Sequence, residues 1–200
     1  MYGNATELSV WQAKQINDGQ EVLLCSDATS FQLSNADVYF QFSGEKVLVL
    51  PSNHTTVFYH SVLCTSQVLP QAVIRFNGWP LFFEKEIIEI AGGNEYVHAA
   101  SLLLQQIGIK NTIAPDAPGF IAARIIAMII NEAYFALEDE VSDKSQIDTA
   151  MKLGTNYPNG PFEWVSIIGL KNIVNLLNEL SKEDSRYRPS SKMLEAVSTV

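Results

Sequence analysis

The stretch DAPGFIAARIIAMIINEAYFALEDE, residues 116–140, decides how this chain is organised. It opens on a Pro-Gly turn and continues as a mostly apolar run. A helix that is apolar almost all round is buried on more than one side. The run from Phe120 to Leu137 is near the minimum length for a membrane span, but Arg124, Asn131 and Glu132 interrupt it and its flanks are not basic. We therefore predict a buried helix and not a transmembrane segment.

The sequence before this helix alternates between strand-like and helix-like patterns. The runs typical of strands are EVLLCS, ADVYFQF, KVLVLPS, AVIRF and NTIAP, whereas TTVFYHSVLC fits either a helix or a strand. The segment NEYVHAASLLLQQIG is predicted to be a helix, with Asn94 as its N-cap and Gly108 ending it. Strands that alternate with helices indicate an α/β layer with a mainly parallel sheet.

The sequence after the Pro-Gly turn is predicted to be entirely helical. Asp143 and Gln146 resemble a capping box at the start of a helix that Gly154 closes. An amphipathic stripe over residues 170–180 predicts a further helix. The segment PDAPG breaks regular structure between the two parts. The predicted domains are an α/β domain over residues 1–115 and an all-α domain over residues 116–200.

Composition and charge narrow the classes of partner. The chain of 200 residues has a formal net charge of −9, which disfavours nucleic acid and anionic membrane surfaces because both demand a basic face. Cys25 and Cys64 lie in apolar stretches without metal-ligand spacing, and we interpret them as reduced core residues. The N-terminus has neither a basic n-region nor an apolar h-region, so we expect no signal peptide and a cytoplasmic protein.

A second stretch, IDTAMKLGTNYPNGPFEW, residues 147–164, matches a dense family pattern. The pattern is D-x-A-M-x-x-G-x-x-x-P-x-G-P-F-E, and the residues that match it in spacing are Asp148, Ala150, Met151, Gly154, Pro158, Gly160, Pro161, Phe162 and Glu163. The segment DAPGFIAAR is similar to D-x-P-G-F-I-x-N-R. Together the two stretches resemble the C-terminal domain of the 3-hydroxyacyl-CoA dehydrogenase family, and the resemblance covers roughly residues 20–197.

The resemblance implies a fold, a reaction and a partner. It implies a shortened Rossmann-like sheet domain followed by a helical domain that forms the subunit interface of a homodimer and closes over an acyl-CoA. The family transfers a hydride between NAD and a 3-hydroxyacyl thioester in fatty acid metabolism. The apolar helix would then be covered partly by its own domain and partly by a second subunit. A core helix within a monomer is the alternative.

The catalytic pair of the family falls on two positions of this chain. The family carries a base histidine in H-F-F-N-P and a glutamate twelve positions later. Glu89 matches the glutamate, and counting back twelve positions reaches Asn77. If Asn77 instead matches the asparagine of H-F-F-N-P, the base position is Ile74. Neither residue can act as a general base near pH 7. Glu89 is expected to be a solvated or helix-end carboxylate.

The ligand-binding positions implied by the family also differ here. Ala123 replaces the substrate-contacting asparagine, whereas Thr55 keeps a hydroxyl where the family places one near the substrate, or caps a loop instead. The dinucleotide loop G-x-G-x-x-G falls on GNATEL, with Gly3 at the first glycine and Ala5 and Leu8 at the others. Asp27 lies close to the position where the family would have a ribose-binding acid. NAD, the cofactor of the family, is therefore doubtful for this chain.

Two functional hypotheses follow. In the first, the chain keeps the scaffold and the dimer interface but acts as a non-catalytic ligand-binding or interaction protein. In the second, it is an active NAD-dependent 3-hydroxyacyl-CoA dehydrogenase with an unorthodox base, for which His54 and His60 are the candidates. His98 lies on a predicted helix and is interpreted as a partly exposed surface residue. No metal site is predicted.

Overall fold

The computed structural model of the protein describes residues 1–12, 19–42, 46–48, 56–70 and 72–198. The chain divides into two compact units, Met1–Ile121 and Ala122–Val200. The Pro-Gly turn that was predicted to open the second domain thus belongs to the first unit. The reason is that the turn is bonded to the sheet, since the Gly119 amide donates to the Val62 carbonyl at 2.7 Å.

The first unit is built on a five-stranded sheet. Its strands are β1 (Val38–Gln41), β2 (Thr56–His60), β3 (Val73–Phe76), β4 (Ile87–Ala91) and β5 (Lys110–Ile113), in the spatial order β1-β2-β3-β4-β5. All neighbours are parallel except β3 and β4, which are antiparallel. The helices of this unit are α1 (Ala5–Gln12), α2 (Ala28–Leu33) and α3 (Asn94–Gln106), with a one-turn 3-10 helix at Ser66–Val68. The prediction of a mainly parallel α/β sheet is confirmed.

Both faces of the sheet are buried, which explains the apolar runs of its strands. On one face Phe40, Phe58 and Ile74 pack with Leu104 of α3. On the other face the alternate residues of the same strands pack around Phe31 of α2, which is fully buried. Because successive strand residues point to opposite faces, a two-sided core requires nearly continuous apolar sequence. The same burial resolves the ambiguous TTVFYHSVLC segment as a strand.

Two local expectations in this unit are wrong. The N-cap of α3 is Gly93 and not Asn94, although Gly108 does end the helix, with a φ of 87°. In the part of the chain that the structure describes, EVLLCS forms no strand: Tyr2 forms an isolated bridge with Cys25, and Met1 bonds to Leu23 and Cys25. Residues Val22–Leu24 are 41–43% exposed.

The second unit is helical, as predicted. Its helices are α4 (Ala122–Glu138), α5 (Lys144–Thr155), α6 (Pro161–Ile168), α7 (Leu170–Ser181) and α8 (Ser191–Ser198), with a 3-10 turn at Ser185–Tyr187. Within the described parts of the chain, no helix combines the length and the hydropathy needed to cross a membrane.

Helix α4 carries the apolar run, and its own unit buries one stripe of it. The stripe includes Ala127, Ile130 and Tyr134. The fully buried Asn131 belongs to it as well, because its amide donates to the Arg188 carbonyl at 2.9 Å and accepts from the Ser190 amide at 2.9 Å. A buried polar side chain is tolerated when it is bonded in this way. Asn131 therefore pins the chain ahead of α8 to the middle of α4.

Asp143 caps α5 as expected, since its carboxylate accepts from the Gln146 amide at 2.9 Å. The capping box is incomplete, because the Gln146 side chain accepts instead from the Ser142 hydroxyl. The helix is not closed by Gly154. It runs to Thr155 and ends at Asn156, whose φ of 58° is the left-handed conformation of a helix C-cap.

The residues that match the family pattern join α5 to α6. Asp148 of α5 accepts from the Phe162 amide at 2.8 Å, in the first turn of α6. Glu163 accepts from the Gly160 amide at 2.9 Å and forms an ion pair with Lys152. A side chain at position 160 would overlap Asp148. The most recognisable motif of the sequence is therefore a helix junction, and its carboxylates act as helix caps.

Candidate functional site

The two predicted catalytic positions lie side by side at the β3–β4 pair. Asn77 directly follows β3 and Glu89 is the middle residue of β4. The Asn77 amide Nδ2 donates to Glu89 Oε2 at 3.0 Å, and the Asn77 backbone N–H donates to the Glu89 carbonyl at 3.1 Å. The spacing of twelve residues read from the sequence thus corresponds to a direct contact across antiparallel strands.

Both side chains of this pair form further hydrogen bonds. Asn77 is 1% exposed, and its Oδ1 accepts from the Trp79 amide at 3.3 Å. Glu89 is partly buried, and its other oxygen accepts from the Ile121 amide at 3.0 Å. Glu89 was expected to be a solvated or helix-end carboxylate, and its bond to the Ile121 amide, directly before α4, corresponds to the second alternative. An amide cannot take up a proton in place of a histidine, so Asn77 can orient groups but cannot serve as the general base. The catalytic assignment of the two residues stays a prediction.

His60 ends β2, the strand next to β3. Its Nδ1 lies 3.0 Å from the Gly78 amide, which can donate to it, and 3.4 Å from the Phe76 carbonyl, which can accept from it when Nδ1 carries the proton. Burial lowers the pKa of His60 below its ordinary value of 6.5, although the Phe76 carbonyl and the charge of Glu7 oppose that effect. In either tautomer, Nδ1 thus faces backbone groups of Gly78 and Phe76. His54, the other candidate, lies outside the described residues.

The predicted dinucleotide loop lies at the start of α1. The Asn4 side chain accepts from the Glu7 amide at 3.0 Å, and the Glu7 side chain accepts from the Asn4 amide at 2.7 Å. Leu8, at the third glycine position of the fingerprint, is buried. A dinucleotide pyrophosphate needs free N–H donors at such a helix start and small residues for close approach. The residues present here do not fit that group.

Three predicted ligand positions remain, Asp27, Ala123 and Thr55. Asp27 is the N-cap of α2, and its two oxygens accept from the Ser30 amide at 2.8 Å and the Ser30 hydroxyl at 2.7 Å. These bonds to Ser30 hold the pKa of the Asp27 carboxyl below its ordinary value. Ala123 is fully buried in the second unit. Thr55 lies outside the described residues. A ligand-binding role for these three residues stays a prediction.

A buried ion pair that sequence reasoning missed ties the Pro-Gly turn to the sheet. Arg75 of β3 is fully buried and donates through Nε and Nη2 to Asp116 Oδ1, at 3.0 and 2.7 Å. Its other donors reach the carbonyls of Ser61 and Ala117. Asp116 also accepts from the Ser66 amide and hydroxyl. Every charge of this cluster is thus compensated by several hydrogen bonds, as burial demands.

The same cluster holds a strained piece of backbone. Phe120, in the turn before α4, has a φ of 48°, a conformation that a residue with a side chain adopts at a cost. The Arg75 guanidinium lies 4.7 Å from the centroid of the Phe120 ring. The ion pair and this cation–π contact together keep the turn in place.

The second unit contains an apolar groove of about 680 Å³. Its lining comes from α4, α5 and the turn before α8, and includes Ile125, Met128, Ile129, Met151 and Tyr187. Ile125 is 54% exposed. The side of α4 that its own unit leaves uncovered therefore faces this groove.

One of the missed features had a signal in the sequence. Asn4 and Glu7 have the spacing of a capping box, and that pattern predicts a helix start without reference to any family. Arg75 and Asp116 are 41 positions apart, and no local pattern connects them.

Comparison with known proteins identifies the second unit. Residues 119–199 match the model of the 3-hydroxyacyl-CoA dehydrogenase C-terminal domain. The chain is 46% identical over 90 residues to 3-hydroxyadipyl-CoA dehydrogenase of Escherichia coli K12, covering 44% of this chain and 19% of that protein. It is 34% identical over 124 residues to 3-hydroxybutyryl-CoA dehydrogenase of Bradyrhizobium diazoefficiens, covering 60% of this chain and 42% of that protein. The chain thus spans less than half the length of these two relatives.

Solved structures extend the likeness to the first unit. The (S)-3-hydroxybutyryl-CoA dehydrogenase of Ralstonia eutropha covers 88% of this chain, over 69% of its own length, with a TM-score of 0.69 and 22% identity, a likeness of fold alone. A 3-hydroxybutyryl-CoA dehydrogenase of Escherichia coli K12 covers 71% of this chain and 31% of its own, with a TM-score of 0.60 and 32% identity. The second unit therefore matches the C-terminal domain of the 3-hydroxyacyl-CoA dehydrogenase family, and the chain has the fold of such dehydrogenases, a Rossmann-like sheet followed by a helical domain.

Proposed function

We propose that this chain is a non-catalytic member of its family that serves as a ligand-binding or interaction protein. The observation that carries the proposal is the Asn77–Glu89 contact, because the position twelve residues before Glu89, where the family spacing puts a base histidine, holds a buried amide 3.0 Å from that glutamate. Such a pair has no imidazole that could accept and return a proton.

The start of α1 supports the proposal independently. The family depends on NAD, and at the start of the helix that would receive the pyrophosphate the amides of Asn4 and Glu7 are bonded to side chains of the chain itself. A dehydrogenase needs both a base and a bound cofactor, and the described residues favour neither.

The expected result of the direct assay is that purified protein does not oxidise NADH with acetoacetyl-CoA, whereas a working enzyme turns over at the order of 10 per second. NADH titration followed by fluorescence is expected to show no saturation at millimolar concentration. An active 3-hydroxyacyl-CoA dehydrogenase assayed in the same buffer is the control. Turnover at a typical enzymatic rate would refute the proposal.

The second candidate function is an active dehydrogenase with His60 as its base. It is favoured by the position of His60 beside β3 and by burial, which lowers the pKa of His60 below its ordinary value. The observation against this candidate is that the Gly78 amide lies 3.0 Å from His60 Nδ1, where it can occupy the lone pair of that nitrogen. The two candidates are separated by replacing His60 with asparagine. If wild-type protein is active and His60→Asn abolishes kcat while NADH still binds, the second candidate is correct.

We also propose that the apolar groove of the second unit is covered by a second copy of the chain, so that the protein is a homodimer. In support, Ile125 is 54% exposed on the rim of an apolar groove, and exposed apolar surface of this kind marks association sites. The acyl part of an acyl-CoA-type ligand is the other occupant that would suit an apolar groove. Calorimetry with acetoacetyl-CoA in the absence of cofactor tests ligand binding separately.

Replacement of Ile125 by glutamate is expected to raise the dimer dissociation constant by about 30-fold or more, because an apolar anchor is lost and a charge is buried. Light scattering after size-exclusion chromatography measures the mass. The matched control is Leu153→Glu, since Leu153 is 82% exposed on α5 and does not line the groove. A monomeric wild-type protein, or equal effects of the two variants, would contradict the homodimer.

A further inference from the structure

The start of α1 is closed by a reciprocal pair of hydrogen bonds. The Asn4 and Glu7 side chains each accept from the backbone N–H of the other residue, at 3.0 and 2.7 Å. At a helix start these N–H groups have no partner within the helix, and they are what a bound anion would use. Here one of them is bonded to a carboxylate that belongs to the chain itself.

The Glu7 side chain also lies over the glycine of the loop. An added Cβ at Gly3 would lie 2.8 Å from Glu7 Oε2 and 3.1 Å from Glu7 Cβ. In a dinucleotide-binding loop, glycine allows the backbone to approach a phosphate closely. In this chain, the group that approaches Gly3 is the Glu7 carboxylate.

We infer that Glu7 is a specificity-determining residue, whose carboxylate takes the place of a ligand phosphate at the start of α1 and excludes dinucleotides. The inference rests on the proposed non-catalytic function and deepens it by naming the group that prevents cofactor binding. It differs from a mere lack of glycines, because it assigns the exclusion to one removable charge.

Charge and packing explain why the exclusion is strong. A phosphate brought to this helix start would meet a carboxylate of the same sign and would have to displace two hydrogen bonds. The negative charge of Glu7 also acts on His60, at the end of β2, where it raises the pKa of the imidazole against the effect of burial. The whole chain, with a net charge of −9, adds to the repulsion of anions.

The test is binding of inorganic pyrophosphate to wild-type protein and to Glu7→Gln, measured by calorimetry at low ionic strength. Glutamine keeps the capping hydrogen bond and removes the charge, so the helix is retained. The variant is expected to bind pyrophosphate about tenfold more tightly than wild-type protein, the effect of removing one like charge at a helix start. Glu7→Ala, which also frees the Asn4 amide, is expected to bind at least as tightly. Circular dichroism verifies that both variants are folded.

The matched control is Glu95→Gln, which removes the same charge from the first turn of α3 in the same unit. An equal gain with Glu95→Gln would overturn the inference, because the effect would then belong to net charge. No gain with either Glu7 variant would also overturn it and would leave the proposed function intact. Micromolar binding of NADH by wild-type protein would overturn the inference and the proposed function together.

Discussion

Replacement of Asp116 by alanine is expected to lower the free energy of unfolding by about 3–5 kcal/mol, which is the cost of leaving one partner of a buried ion pair uncompensated. Arg75 is fully buried and loses two of its hydrogen bonds in this variant. The Ser66 amide and hydroxyl lose their acceptor as well. The backbone conformation of Phe120, with its φ of 48°, then has less to hold it. Urea unfolding followed by circular dichroism measures the change.

A matched control separates this effect from the loss of any carboxylate. Glu86 pairs with Lys110 in the same unit, but both side chains are well exposed, at 74% and 66%. Glu86→Ala is therefore expected to leave stability unchanged within the error of the measurement. If Asp116→Ala lowers the free energy of unfolding no more than Glu86→Ala does, the Arg75–Asp116 ion pair does not stabilise the fold.

The pH dependence of stability tests the same Arg75–Asp116 ion pair. Partial burial raises the pKa of the Asp116 carboxyl, but hydrogen bonds from Ser66 and the charge of Arg75 outweigh burial and place the pKa below its ordinary value of 3.8. A carboxyl whose pKa is depressed by folding stabilises the protein above the unfolded value, and this contribution is lost as pH falls through the folded value. Wild-type protein is thus expected to lose stability below pH 3.8 more steeply than Asp116→Ala.

Replacement of Gly160 by alanine is expected to destabilise the second unit by about 2–3 kcal/mol, because the added methyl group overlaps Asp148 and forces α5 and α6 apart. The Asp148 carboxylate would also lose its bond to the Phe162 amide, and caps of this kind contribute about 1 kcal/mol. Thermal unfolding by calorimetry, with a separate fit for each unit, measures the change.

Gly154 provides the opposite expectation within the same motif. It lies inside α5, and an added Cβ meets nothing within 4 Å. Gly154→Ala is expected to stabilise the protein by about 0.5–1 kcal/mol, since alanine loses less backbone entropy in a helix. A destabilised Gly154→Ala variant, or a neutral Gly160→Ala variant, would show that the junction is wrongly described.

The local elements could largely be predicted, because their signals lie within a few residues. Periodicity predicted α3 and the helical second unit, and the apolar runs predicted most strands of the sheet. The caps were less reliable. Gly93 and Asn156 hold the positions that Asn94 and Gly154 were expected to hold, since several neighbouring residues suit a cap and backbone angles decide between them.

The site was only partly predictable. The spacing of Asn77 and Glu89 identified the two positions through a family pattern, but their contact depends on the antiparallel register of β3 and β4. The sequence left open whether Glu89 is solvated or lies at a helix end, because the Ile121 amide, directly before α4, lies beside it only in the folded chain. Which side chain bonds to which N–H is a matter of register and side-chain geometry, and neither can be read from sequence spacing.

The sequence by itself determined the class of fold and the resemblance of the second part to a family domain, because these depend on residue patterns that repeat locally or match a dense motif. Only the tertiary structure decided what several of these residues do. Arg75 and Asp116, 41 positions apart, form an ion pair only in the folded chain. The residues that match the family pattern lie at the junction of α5 and α6. It also placed the Glu7 carboxylate over Gly3. The physical reason is that charges and hydrogen-bond donors interact over a few ångströms in space, and folding chooses those neighbours without regard to their separation along the chain.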